Sequence, residues 1–173
     1  MIRIEYQKNH RLGYFSSSEY KPIGSVSGYK CYVAAGEDDQ IWVDFVDPEC
    51  TDSKGRAKRV CEIILNETKN RVYEVEIVLL DKEYRGQNLT PRFYAFLLRK
   101  MSITLKAGSA QSPGGRSIWK RLATRRDVMV YGRTPYGRPV MMVVNEKNEL
   151  EPIHGRFEAY DDRDFEMFAV RAA

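Results

Sequence analysis

One stretch of the 173-residue chain combines residue types that bind phosphate with carboxylates that can hold a proton. It runs from the predicted strand Val72–Leu80 through the polar turn from Tyr84 to Thr90 and into a predicted helix. The first backbone N–H groups of a helix lack partners within the helix, and the helix dipole adds positive charge at that end. The turn therefore predicts a binding site for an anion such as a phosphate group.

Two carboxylates lie on the strand that leads into this turn. Because side chains alternate between the two faces of a strand, Glu74 and Glu76 point the same way. The opposite face is wholly apolar and carries Tyr73, Val75, Ile77 and Leu79. An alternative is that both carboxylates are solvent-facing residues opposite Lys58 or Arg59.

Positive charge is concentrated between Arg116 and Arg138. This segment carries seven basic residues and one acid, a net charge of +6, whereas the whole chain has a net charge of +4. Such a segment points to a phosphate-bearing partner, either a nucleotide cofactor or a nucleic acid. The alternative is a solvated helix face followed by loop arginines.

The elements before the turn are predicted to be strands. Aromatic and β-branched runs at Tyr29 to Ala34 and Ile41 to Val46 predict a hairpin. The polar stretch from Pro48 to Arg59 predicts a loop. A second hairpin is expected from Val60 to Leu65 and Val72 to Leu80.

After the turn the apolar residues change to helical spacing. Phe93, Phe96 and Leu97 recur with a helical period, so a helix is predicted here. Thr90 is the expected N-cap, and Pro91 is the expected first helical residue.

The remaining elements are shorter. In chain order they are a strand at Ile103 and Leu105, a glycine-rich loop from Gly108 to Gly115, a helix from Ser117 to Ala123, a hairpin of Val128 to Tyr131 with Pro139 to Val144, and a last strand from Phe165 to Val170. Strands and helices mixed in this order predict an α/β layer arrangement. The length is that of one domain, residues 1–173.

Composition argues against several classes of protein. The longest apolar runs, such as Val140 to Val144, fall far short of the ~20 residues that a membrane-spanning helix needs. The start, from Met1 to Tyr6, lacks the features of a secretory signal, so we expect a cytoplasmic protein without a membrane partner.

Metal chemistry is not indicated either. Cys31, Cys50 and Cys61 form an odd set without CxxC spacing, so neither a disulfide framework nor a zinc site is predicted. Cys61 is expected to be a small core residue. We therefore predict no metal ligands.

The stretch from Glu76 to Leu89 resembles the fourth strand and the acetyl-CoA pyrophosphate loop of the GNAT N-acetyltransferase superfamily. That loop follows the pattern Arg/Gln-x-x-Gly-x-Gly/Ala, and Arg85 with Gly86 matches its common Arg-Gly opening. Asn88 and Thr90 stand where the family has small residues. Asn tolerates a positive φ better than other non-glycine residues, so the turn is expected to survive.

A second block supports the resemblance. The stretch from Gln111 to Leu122 is similar to the helix that lines the pantetheine arm in GNAT proteins, and it also resembles bacteriophage-encoded acetyltransferases. The family-like region runs from about residue 60 to 131. The resemblance implies a GNAT-like mixed, mostly antiparallel central sheet flanked by helices, here with an extra β-hairpin near the C-terminus.

The resemblance also implies an activity. The expected function is acetyl-CoA-dependent transfer of an acetyl group directly onto an amine of a protein, a nucleic acid or a small molecule. Glu76 stands where histone-acetylating members hold their general base, and the Leu80 backbone N–H would polarise the thioester. Partial burial and the nearby Glu74 would suit Glu76 to that task. Trp119 stands where the family has a tyrosine acid, so Tyr131 or a water would replace it.

The cofactor contacts implied by the resemblance fall on two segments. They are Leu79, Leu80, Arg85, Gly86, Gln87, Asn88, Leu89, Thr90, Arg116 and Trp119.

Two other functions stay open. Asn88, Thr90, Pro91 and Trp119 depart from the family pattern, which is compatible with a binding protein that has lost turnover. The basic segment 116–138, with Tyr131 and Tyr136 interleaved, is compatible with a protein that binds or modifies nucleic acid.

Overall fold

The structure of the chain is a computed structural model that describes residues 11–108, 111–133, 137–153 and 166–173. The described residues group into two compact units. Unit 1 contains those within Met1–Asn70 and Val75–Phe93, and unit 2 those within Arg71–Glu74 and Tyr94–Ala173. One strand and one helix are divided between the units, and the expected single domain stays a prediction.

Ten strands and two α-helices are found in the described residues. The strands are β1 Lys21–Val26, β2 Tyr29–Ala35, β3 Gln40–Thr51, β4 Ala57–Lys69, β5 Val72–Leu80, β6 Thr104–Lys106, β7 Val128–Arg133, β8 Val140–Val144, β9 Leu150–Pro152 and β10 Glu166–Arg171, and the helices are α1 Leu89–Met101 and α2 Pro113–Ala123. No helix in this described part of the chain is long and apolar enough to cross a membrane.

Unit 1 orders its strands β1-β2-β3-β4-β5, with antiparallel pairing from β1 through β4. The predicted hairpin of β2 and β3 is confirmed, with Cys31 opposite Phe45. Strand β1 was not predicted, because Pro22 and Gly24 break its pattern and shift its register. The interior face carries Val43, Phe45, Ile63 and Leu65, all fully buried.

The predicted loop from Pro48 to Arg59 is wrong at both ends. Strand β3 continues to Thr51, which pairs with Ala57 at the start of β4. The true turn is short because Asp52 accepts hydrogen bonds from the backbone N–H groups of Lys54 and Arg56 at 3.0 and 2.8 Å. These bonds close the chain without the long loop that its polar composition suggested.

Unit 2 orders its strands β5-β6-β10-β7-β8-β9. The pairing of β5 with β6 is parallel, while β10 is antiparallel to both β6 and β7. The hairpin of β7 and β8 lies near the C-terminus, as predicted, and the short strand β9 extends it. The expected mixed, mostly antiparallel α/β fold is confirmed.

Both helices begin earlier than predicted. Helix α1 begins at Leu89, so Thr90 is not its N-cap and Pro91 is not its first residue. Pro91 fits because the first four N–H groups of a helix need no partner within it. Helix α2 begins at Pro113 instead of Ser117, because Ser112 caps it by accepting the Gly115 N–H at 3.1 Å.

One carboxylate in unit 1 is buried beside a cation. Asp44 on β3 is fully buried, and its Oδ2 lies 3.2 Å from a guanidinium nitrogen of Arg59. Burial raises the pKa of Asp44 to about 6, against the opposing effect of Arg59 and with a further rise from Glu62. The folded state therefore keeps a proton on Asp44 that the unfolded chain releases near its ordinary value of ~3.9.

This burial predicts a pH-dependent stability. Since the folded pKa is raised, the Asp44 contribution to the free energy of unfolding is full at pH 4 and falls as the pH rises through about 6. The Asp44→Asn variant cannot ionise, so its stability relative to the wild type should grow by up to about 3 kcal/mol between pH 4 and pH 8. Urea unfolding at five pH values measures the difference, and a constant difference would contradict the assignment.

Candidate functional site

A buried carboxylate fixes the start of the turn between β5 and α1. Asp81 Oδ1 accepts the Glu83 N–H at 3.0 Å, and Oδ2 accepts the Leu12 N–H at 2.7 Å and lies 3.3 Å from Lys58 Nζ. Its own N–H donates to the Val60 carbonyl on β4 at 2.9 Å. Burial acts to raise the pKa of Asp81, but these donors outweigh it and the pKa is lowered. The carboxylate is thus held ionised, with both oxygens bound.

An aromatic side chain fixes the middle of the turn. The Tyr84 hydroxyl donates to Asp47 Oδ2 at 2.9 Å, and the ring meets Tyr29 edge to face at 5.8 Å. Burial, followed by the hydrogen bond to Asp47, raises the pKa of the Tyr84 phenol. The phenol therefore keeps its proton and its hydrogen bond at neutral pH, and the turn is tied to β2 and β3.

The exposed part of the turn has left-handed backbone at two positions. Gly86 has a φ of 79° and Asn88 a φ of 56°, and both are exposed together with Gln87. A Cβ at Gly86 would meet nothing within 4 Å, so the glycine is needed for its φ and not for space. The expectation that Asn88 holds the turn in place of glycine is confirmed, since Leu89 follows it as the first residue of α1.

The two residues that depart most from the family pattern are buried. Thr90 is 6% exposed, and Pro91 is also buried. Their side chains therefore do not cover the exposed backbone from Gly86 to Asn88. This backbone leads directly into the positive end of the dipole of α1. The arrangement fits a phosphate or diphosphate group.

The end of β5 presents a backbone donor on one edge. Because the Asp81 N–H faces β4, strand alternation turns the N–H and the carbonyl of Leu80 toward the other edge. The Arg85 guanidinium reaches that carbonyl at 3.4 and 3.5 Å. The parallel ladder with β6 ends at Glu74, and Leu80 lies beyond it on the strand. By the same alternation, the backbone N–H and carbonyl of Leu79 face β4, as the N–H of Asp81 does.

The candidate base Glu76 is held at one oxygen only. The Gln40 and Asn66 side-chain amides donate to Oε2 at 3.0 and 2.8 Å. Within the part of the chain that the structure describes, Oε1 accepts no hydrogen bond. The carboxylate is therefore oriented, with one oxygen open to a substrate proton.

The expected surroundings of the two carboxylates are corrected by the structure. Glu76 is exposed, not partly buried, and Glu74 is bound to Lys106 instead of acting as a free charge beside it. The alternative made both carboxylates solvent-facing residues opposite Lys58 or Arg59. Glu76 is exposed, as that alternative expected, but the two cations pair with Asp81 and Asp44 instead. Sequence reasoning missed both amide partners of Glu76. Gln40 and Asn66 lie on other strands, 36 and 10 residues away, and the sequence does not show which residues of those strands come close to Glu76.

A chain of ion pairs surrounds Glu74 in unit 2. Lys106 Nζ lies 3.1 Å from Glu74 Oε2 and 2.9 Å from Glu166 Oε1. The other oxygen of Glu166, Oε2, lies 3.2 Å from a guanidinium nitrogen of Arg133. The hydrogen bond from Lys106, the largest cause, lowers the pKa of Glu166. Alternating charges of this kind stabilise one another. No local pattern in the sequence indicated the role of Glu166.

The candidate acid Tyr131 lies on β7 in unit 2. Its ring stacks on the Phe168 ring, with the two centroids 5.1 Å apart and an interplanar angle of 11°. The Arg133 guanidinium carbon lies over the Phe168 ring, 5.2 Å from its centroid. Burial raises the pKa of Tyr131, with Arg133 opposing. The phenol is therefore protonated at neutral pH, as a proton donor must be, and its role stays a prediction.

Helix α2 carries the other two predicted cofactor contacts. Arg116 is exposed, whereas Trp119 is only 3% exposed and meets Tyr94 edge to face at 6.3 Å. Trp119 is thus part of the core of unit 2. Its contact with a cofactor, like that of Arg116, stays a prediction.

At least three of the seven basic side chains in the segment make contacts with other described residues of the protein, and two of these three bind carboxylates. Arg125 makes two hydrogen bonds of 2.8 Å to Asp127, Arg133 binds Glu166, and Lys120 donates to a backbone carbonyl at 3.1 Å. Tyr136, predicted to stack on bases, lies outside the described residues.

The chain was compared with protein-family models, with curated protein sequences and with solved structures. No protein-family model and no curated protein sequence matches the chain. Two solved structures are similar to it, each at 10% identity. One is the IAA acetyltransferase from Bacillus cereus, with a TM-score of 0.36 over 84% of this chain and 79% of that one. The other is a Bacillus subtilis acetyltransferase in complex with CoA, with a TM-score of 0.37 over 86% and 80%.

The left-handed turn yields a test of its conformation. Replacing Asn88 by valine puts a β-branched residue at a φ of 56° and should cost about 1–2 kcal/mol of unfolding free energy. Asn88→Gly, the matched control, should be the milder change because glycine adopts this φ without strain. Chemical denaturation measures both, and equal losses would show that the side-chain contacts of Asn88 matter more than its φ.

Proposed function

We propose that the chain is an acetyl-CoA-dependent N-acyltransferase of the GNAT type, which passes an acetyl group directly to an amine. The observation that carries this proposal is the exposed turn of Gly86 and Asn88 directly before α1. It stands at the end of a strand that carries both a candidate base, Glu76, and a backbone donor, Leu80. An anion site, a base and a polarising donor on one continuous segment are what acyl transfer from a phosphate-bearing thioester needs.

The turn is proposed to hold the diphosphate of CoA. Main-chain N–H groups from Gly86 to Leu89 and the dipole of α1 supply the attraction, and Arg85 adds a positive charge at the same turn. Burial of Thr90 supports this role, because Gly86, Gln87 and Asn88 stay exposed beside it. The rigid anchor at Asp81 keeps the donors in place before binding, so little ordering is needed.

The strand end is proposed to perform the chemistry. Acetyl-CoA, when bound, supplies an acyl group that is already activated as a thioester. In this proposal the Leu80 N–H stabilises negative charge that develops on the carbonyl oxygen. Glu76 Oε1 takes a proton from the acceptor amine, which must be neutral to attack. A water would return a proton to the leaving sulfur, and Tyr131 stays a sequence-based candidate for that role.

Two alternatives have less support. Thr90 and Pro91, which motivated a binding protein without turnover, are buried and leave the exposed backbone of the turn uncovered. The nucleic-acid alternative relied on the basic segment, in which Arg125 and Arg133 are bound to carboxylates.

Cofactor binding is the first test of the proposal. Acetyl-CoA titrated into the full chain by calorimetry should bind, and Arg85→Ala should weaken binding by roughly tenfold to a hundredfold because a charge-assisted contact is worth ~1.5–3 kcal/mol. Arg56→Ala removes an exposed arginine from the turn after β3 and is the matched control, with no change expected. If no heat of binding is measured at high micromolar acetyl-CoA, the proposal is wrong.

Removal of the base is the second test. Glu76→Gln keeps an acceptor oxygen for Gln40 and Asn66 but removes the charge, so kcat for acetylation of primary amines should fall by ~10²–10⁴. Acetyl-CoA affinity should not change. The matched control is Glu49→Gln, an exposed carboxylate on β3. Release of the CoA thiol reports the rate, and an unchanged kcat in Glu76→Gln would exclude this residue as the base.

A further inference from the structure

We infer that Trp42 binds the acceptor of the proposed transferase, and that this acceptor is a primary alkylamine that arrives as its ammonium ion. The inference rests on the proposed function. It starts from a hydrogen-bonded connection between an exposed indole ring and the carboxylate of Glu76.

Two hydrogen bonds connect the ring to the carboxylate. The Trp42 indole N–H donates to Gln40 Oε1 at 3.2 Å, and Gln40 Nε2 donates to Glu76 Oε2 at 3.0 Å. Gln40 and Trp42 are two residues apart on β3, so their side chains share one face of the sheet. Asn66, the cross-strand partner of Gln40, donates to the same oxygen of Glu76. All four side chains belong to unit 1.

The ring is fixed although 40% of Trp42 is exposed. A Cβ on Gly36 would lie only 2.6 Å from the indole Nε1, so the absence of a side chain there lets the backbone approach the edge of the ring. Gln40 holds that same edge. An exposed aromatic ring held at one edge is ready to receive a ligand with little loss of its own rotamer freedom.

The chemistry of the pair selects the ligand. An aromatic ring attracts a cation, and a carboxylate oxygen accepts its N–H groups. Oε1 of Glu76 accepts no hydrogen bond within the described residues, so it is available to an ammonium ion. An arylamine such as the exocyclic amine of a nucleobase carries no such charge. The pair therefore favours an alkylammonium ion.

The same carboxylate then serves the reaction. The ammonium ion gives one proton to Glu76 Oε1 and becomes the neutral amine. Its lone pair forms the new C–N bond with the acetyl carbonyl carbon, and the C–S bond breaks with its electron pair on sulfur. The second amine proton leaves as the amide forms and ends on the thiolate, while Glu76 returns its proton to solvent. The sum is amide, CoA thiol and one released proton.

Exposed acids outnumber exposed bases at the end of the sheet near Gln40, within the described residues of unit 1. Glu37, Asp38 and Asp39 are exposed in the turn between β2 and β3, and Glu67, whose backbone N–H donates to the Asp39 carbonyl at 3.2 Å, is followed on β4 by the exposed Lys69. Such a group of carboxylates raises the local concentration of cations and repels polyanions. The long-range field thus favours the same class of acceptor as the Trp42 ring.

Steady-state kinetics of the full chain at saturating acetyl-CoA test the inference. The acceptors are 1,5-diaminopentane, a peptide with one lysine, and aniline as a neutral arylamine. Trp42→Ala should raise KM for the two alkylamines by roughly threefold to thirtyfold, the range of a cation–π contact, with kcat changed less than about twofold. Trp42→Phe should recover most of that loss. Met141→Ala, which removes a large exposed apolar side chain from β8, is the control and should change nothing.

The outcomes separate the inference from the proposed function. If the wild type acetylates alkylamines and Trp42→Ala leaves their KM unchanged, the inference is overturned and the transferase stands. An equal rise of KM for aniline also overturns it, since the ring would then be a general apolar wall. If the wild type binds no acetyl-CoA, both fail together. A preference for the diamine or for the lysine peptide supports the inference and identifies the source of the alkylamine as a small molecule or a protein.

Discussion

The candidate site depends on one buried carboxylate that is fully hydrogen bonded. Asp81 joins the end of β5, the start of the turn, the segment at Leu12 and the cation of Lys58. A buried charge is tolerated only where donors surround it, and removal of one donor leaves the buried charge incompletely compensated. The backbone that follows Asp81 therefore has a fixed starting direction. The left-handed positions at Gly86 and Asn88 then shape an exposed turn instead of a flexible loop.

Two carboxylates on strand β5 have different surroundings because they lie at different positions along it. Glu74 and Glu76 share a residue type and a strand face, yet Glu74 is bound to Lys106, whereas Glu76 receives only neutral amides at one oxygen. The negative charge of Glu74 is compensated by Lys106 within the protein. The amides that orient Glu76 carry no net charge, so its negative charge can attract a cationic ligand. The ladder with β6 ends at Glu74, so the change of environment coincides with the end of parallel pairing.

Local sequence patterns were sufficient for the elements whose causes are local. The hairpin of β2 and β3, the helical period of α1 and the tolerance of Asn for a positive φ each follow from a few adjacent residues. The start of α2 was missed because two glycines hide a helix that Ser112 caps. The partners of Glu76 and the Lys106 bridge were missed for a different reason. Gln40, Asn66 and Glu166 are distant in sequence, and only strand register brings them to their targets.

Charge counts along the sequence describe only part of the field that a substrate meets. The net charge of +6 on segment 116–138 already includes Asp127, the partner of Arg125, and the pairing of Arg133 with Glu166 adds one further acid beside it. Glu76 has no such cation in the contacts described, and it stands at an end of the sheet where further acids are exposed. Carboxylates therefore outnumber the exposed Lys69 at this end of unit 1. A base that works beside other acids is approached most readily by a cation, which is the form in which an alkylamine exists at neutral pH.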